Sequence, residues 1–116
     1  MLKTLCIQIQ PELAPELNMA ELKHVLDVLG STSLLVKQHS VDEGFDKSPY
    51  SNFTFDTEDL LALWPVIQSK VFSNETLAEP LAKASIVTCE GKNGWSDYLL
   101  LFHFDPSQPR DSIDMT

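Results

Sequence analysis

Asp42, Glu43, Asp46, Asp56, Glu58 and Asp59 fall within eighteen positions that hold a single base, Lys47, and four aromatic rings, Phe45, Tyr50, Phe53 and Phe55. Carboxylates at this density either coordinate a hard cation or present negative potential to a basic partner, while neighbouring rings supply buried contact area. The cation reading fails on spacing, because Asp42, Glu43 and Asp46 lack the alternating oxygen-ligand register of a calcium loop. The interaction reading names Asp42, Glu43, Asp46, Asp56 and Asp59 as the charge, with Tyr50 and Trp95 as aromatic anchors. A plainer account competes with it. Glu58 and Asp59 stand where the positive end of any helix attracts acids, and a tryptophan such as Trp95 more often closes a core than meets a partner.

The remaining chemistry-bearing residues are sparse. His24, His39 and His103 share no metal-ligand spacing, so neither a zinc signature nor a bound metal is expected. Cys89 brought beside His39 and His103 would give a nucleophile and a base. Activation needs thiolate character in an electropositive setting, which eight Lys and Arg against seventeen Asp and Glu do little to provide. Cys6 and Cys89 therefore read as small apolar residues, not as a disulfide. No phosphate-cradling loop or nucleophile elbow occurs, and Gly30, Gly44, Gly91 and Gly94 are dispersed. No cofactor is expected.

A net charge of −9 on 116 residues opposes phosphate backbones and anionic lipid, which excludes nucleic acid and membrane surfaces as partners and leaves basic proteins and cations. Solubility alone also accounts for such a charge. The longest apolar run is far below the ~20 residues of a membrane helix, and the first residues lack the run of a signal peptide, so a cytoplasmic location is expected. The sequons at Asn52 and Asn74 then carry no weight.

The elements that must position these residues follow from periodicity. Leu5, Ile7 and Ile9 alternate with Cys6, Gln8 and Gln10 as in a half-buried strand. Met19, Leu22, Val25, Leu26 and Leu29 recur at helical spacing, with Asn18 as N-cap, Glu21 reaching back to it and Gly30 as the stop. Positions 33–40 read as a strand whose polar end lies at an edge, 41–50 as an acidic loop, and 52–55 as a short strand. Asp56 or Thr57 caps a second helix with Leu60, Leu61, Trp64, Ile67 and Val71 inward and a kink or fresh start at Pro65. A shorter helical piece follows Ser73 or Asn74. Strands at 85–90 and 95–105 flank Asn93-Gly94, a hairpin turn, and the strand at 95–105 reads as covered on both faces and central.

This order predicts an α+β fold, a ferredoxin-like split βαβ sheet with helices on one face and an added C-terminal hairpin strand. One domain spans 1–105, with a polar, flexible tail at 106–116. The functional expectation is a non-enzymatic intracellular domain whose acidic face takes a basic protein, in the manner of an immunity protein or inhibitor. Two alternatives stand beside it: a homodimer enclosing a small-molecule cleft lined by Trp64, His39, His103 and Tyr98, and a structural or assembly subunit.

Overall fold

The computed structural model describes residues 1–113. Strand β1 (Lys3–Ile9) buries Leu5, Ile7 and Ile9 completely and leaves Cys6 and Gln8 half-buried, the pattern its alternation dictates. A 3-10 turn at Pro11–Leu13 leads to helix α1 (Met19–Thr32). The Asn18 side chain accepts the Glu21 N–H at 3.0 Å, but Glu21 does not reciprocate: its carboxylate accepts the Thr76 hydroxyl at 2.8 Å instead. The helix also runs two residues past Gly30. That glycine is needed for close approach, since a Cβ there would lie 2.5 Å from the His39 ring.

The expected strand at 33–40 and acidic loop at 41–50 are both displaced. Strand β2 (Gln38–Asp46) and strand β3 (Ser48–Thr57) form one long antiparallel hairpin, turning at Lys47, whose φ of 65° is a left-handed conformation that short polar turns tolerate. Acids are poor strand formers in sheet interiors, yet at an edge their side chains stay in water and cost little, so pairing with β3 overrides local propensity.

Helix α2 (Leu60–Ile67) starts on Asp59, whose carboxylate accepts the Ala62 N–H at 3.0 Å; Thr57, one of the two expected caps, accepts the Asp59 N–H. Pro65 lies inside the helix. In place of a kink or restart there, the chain widens into a π-helical turn at Gln68–Phe72. Val71 is thereby fully buried, and Phe72 packs between Trp64 and Phe102, with ring centroids 5.8 and 5.4 Å apart. Helix α3 (Ala78–Ala84) leads into strand β4 (Ser85–Gly91), and a tight turn with Gly94 at φ 77° opens strand β5 (Gly94–His103).

The result is an α+β architecture, a five-stranded antiparallel sheet in the order β2-β3-β1-β4-β5 with three helices. Leu5, Ile7, Ile9, Phe53, Phe55, Val87 and Cys89 form the inner face, packed with Leu22 and Leu26 of α1, Leu63 and Ile67 of α2, and Leu81 of α3 in one cluster. Truncating one of these leucines to alanine costs about 2–5 kcal/mol. Among the described residues no helix covers the opposite face. Across it runs a register row of Asp42, Asn52, Gln8, Ile86 and His103.

Strand β5 is an edge, not the central strand its double alternation suggests. Its later apolar side chains, Leu99 to Phe102, find cover in the rest of the chain, where Phe102 meets Phe72 and residues after Asp105 fold back along the strand, while Trp95 and Tyr98 stay exposed. The polar segment 106–116 is described as far as Ile113, which packs on the core; positions 114–116 lie outside the described residues. No helix among the described residues is long and apolar enough to cross a membrane.

Candidate protein-interaction site on the β2–β3 hairpin

The hairpin divides the acids by face. In β2, alternation sends Gln38, Ser40, Asp42, Gly44 and Asp46 to the open side of the sheet, and His39, Val41, Glu43 and Phe45 to the side where α1 lies. Asp42, Asp46, Tyr50 and Asp56 thus share the open face. Glu43 points the other way and meets Lys23 of α1 at 3.1 Å, a solvent-exposed pair of small energetic value. Every β2 residue is exposed except the half-buried Gly44, and Phe45, at 74% exposure, is among the most open rings in the protein.

The other expected contact residues separate from this cluster. Asp56 accepts the Thr4 hydroxyl at 2.6 Å, and Asp59 is held by its capping bond. Both are structural as well as charged. Trp95 lies on β5, three strand spacings from Tyr50 on β3, or about 14 Å at the usual 4.8 Å separation, and toward the opposite end of the strands. It is 47% exposed, so it does not close the core, but it cannot share one small contact patch with Tyr50.

Sequence reasoning missed the polar floor beside the acids. Gln8, Gln10, Asp46, Ser48, Tyr50 and Asn52 line a cavity of about 350 Å³ where β1, β3 and the hairpin turn meet. The Tyr50 side chain lies over Gly44, so closely that a Cβ at position 44 would overlap its ring. The signal was present in the alternation of Gln8 and Gln10 with Ile7 and Ile9, and of Asn52 with Phe53. It becomes a site only once β2 is seen as a strand.

The nucleophile-and-base arrangement does not form. Cys89 faces the buried side of β4, His103 pairs with Ile86 on the open side of β5, and His39 stacks on Phe55 at the other end of the sheet order. His103 Nδ1 accepts the Asp105 N–H at 2.9 Å. Burial pushes both thiols up to about 11, away from thiolate. Cys6 and Cys89 point to opposite faces and are free. Trp64, His39, His103 and Tyr98 likewise line no common cavity within one chain: Trp64 sits on α2 against Phe72, and Tyr98 is exposed on β5. Among the described residues no group of three or more His, Cys, Asp or Glu side chains is placed to hold a metal ion.

Compared with known protein families, with curated proteins and with solved structures, the chain matches none.

Proposed function

We propose that this chain is an intracellular, non-enzymatic protein-binding domain that engages a basic partner through strand β2, in the manner of an immunity protein or inhibitor. The observation that carries the reading is that β2 is a nine-residue edge strand, open on its outer side, with Asp42 and Asp46 on one face and Glu43 on the other. An edge strand turns alternate N–H and C=O groups outward, so an extended segment can add to the sheet by main-chain hydrogen bonds. The acids select a segment of opposite charge and speed its approach. Val41 and Phe45, both well exposed, offer apolar contact area on the same strand.

The finer architectural reading is a ferredoxin-like split βαβ unit from β1 to β4 with β5 added. It is supported by β1 lying between β3 and β4, with β2 beyond β3; the fifth strand extends the order past a four-stranded unit.

The test is a capture experiment from lysate at low and high salt, run with the native chain and with Asp42→Asn/Glu43→Gln. A basic protein held at fixed stoichiometry at low salt, released by salt and released by the double substitution supports the reading. Capture that ignores both salt and the substitution overturns it.

A further inference from the structure

The cavity on the open face is lined by polar side chains throughout. Gln8, Gln10 and Asn52 each bring a carbonyl acceptor and an NH2 donor, Ser48 and Tyr50 bring hydroxyls that serve as either, and Asp46 brings the one formal charge; among the described residues no Lys, Arg or His lines it. Among the described residues Asn52 Oδ1 is buried without a hydrogen-bond partner, and Asn52 lines the cavity. A buried acceptor left unmatched is destabilising, and a small turn of the amide toward the cavity lets an incoming N–H satisfy it. The lone Asp46 carboxylate, with no base beside it, favours a cation, and amides and hydroxyls that can turn their oxygens toward it favour one with many N–H donors.

We propose that this pocket seats the guanidinium of an arginine side chain from the basic partner; the proposal rests on the reading of β2 given above. A guanidinium carries five N–H donors in a planar fork and no acceptor. Its donors point in several directions at once, so one head group reaches acceptors on β1 and β3, neighbouring strands about 4.8 Å apart. An ammonium is a compact point charge without that planar reach. Tyr50, lying across Gly44, adds an aromatic wall on which a guanidinium can stack. Asp42, paired with Asn52 in the β2–β3 register, places a second carboxylate at the same level of the open face, so the pocket adjoins the strand the partner would pair with. The single opposing charge within the acidic stretch is Lys47, at the tip of the turn.

The experiment is an amide NMR titration of the full chain with acetyl-arginine-amide, and in parallel with acetyl-citrulline-amide, a neutral analogue of nearly the same shape. Saturable shifts confined to Gln8, Gln10, Asn52 and the 46–50 segment, at least ten-fold weaker with citrulline, are expected. Asp46→Asn should weaken arginine binding about ten-fold, and Asn52→Asp should tighten it. Equal shifts with both probes, or none with either, overturn the proposal. A partner whose capture depends on Asp42 and Glu43 but is indifferent to Asp46→Asn and Asn52→Asp sinks the pocket while leaving the acidic strand standing. Arginine binding in the pocket without any partner dependent on Asp42 and Glu43 sinks the strand reading instead, and leaves the guanidinium site supported.

Discussion

The two edges of the sheet are protected in opposite ways. Strand β5 is apolar from Leu99 to Phe102, and the chain covers that half with its own tail: the Asp111 N–H donates to the Leu100 carbonyl at 2.7 Å, the Asp111 carboxylate accepts the Leu100 N–H at 2.8 Å, and Arg110 lies 5.0 Å over the Phe102 ring while donating to the His103 carbonyl. Strand β2 has no such cover and is guarded by Asp42, Glu43 and Asp46. Where the tail lies, from Leu99 onward, the edge is closed to every comer, while Trp95 to Tyr98 stay exposed. A charged edge is closed only to its own kind, because antiparallel pairing of two copies sets acid near acid, while a basic strand meets the opposite sign. The difference is the reason the proposed reading rests on β2 and not on β5.

The sharpest way to break the contrast is to strip the cover from β5. In Asp111→Ala/Ile113→Ser the carboxylate hydrogen bond to Leu100 and an apolar contact with the core are lost, while the main-chain bond from residue 111 to Leu100 can still form. At about 1 kcal/mol for the hydrogen bond and a comparable amount for the isoleucine, the loss should reach about 2 kcal/mol, a fall in Tm of about 8 °C. The uncovered edge should also show concentration-dependent association by light scattering. An unchanged Tm in a monomeric variant would mean that the tail leans on β5 without protecting it.

A smaller effect is expected inside the hairpin. In Gly44→Ala the added methyl collides with the Tyr50 ring, which must swing off β2. Overpacking of this kind costs about 1–2 kcal/mol, less at an edge that can yield. Thermal unfolding measures that loss, and the arginine titration should lose its Tyr50 shifts although every acid is still in place. Retained shifts would show that Tyr50 is not a wall of the site.

How much of this was legible in the sequence depended on which force set each element. The alternation in β1 and the helical stripe and Asn18 cap of α1 each express a local rule, and they appear where that rule puts them. The second hairpin also forms, but its turn is Lys92-Asn93 between the paired Gly91 and Gly94, with Gly94 rather than Asn93 at positive φ. Strand β2 obeys no local rule. Its residues read as a loop because Asp, Glu and Gly disfavour strands, and only pairing with β3 makes them one. Strand β5 failed for the converse reason: apolar residues on both sides implied a central place, but Phe72 of the π-helical turn and a returning tail supply the cover that flanking strands would have given. The candidate site shared the fate of β2. The acids were visible as composition, whereas their division between two faces and the pocket beside Asn52 needed the register.

The smallest stability effect belongs to the acids themselves, and that is what makes them informative. Asp42→Asn/Glu43→Gln removes one exposed ion pair, Glu43 with Lys23, and should change unfolding free energy by no more than about 0.5 kcal/mol. Any larger change in behaviour must then come from what the edge meets. The neutral variant should lose its salt-sensitive partner and begin to self-associate, since the edge keeps its hydrogen-bonding groups without its guard. The reversed variant, Asp42→Lys/Glu43→Lys, separates the two roles. It should stay monomeric by size measurement, because like charges again face each other between copies, yet it should be the poorest binder of all. If the reversed variant binds as well as the native chain at low salt, the carboxylates serve only to keep copies apart, and recognition must lie elsewhere on the molecule.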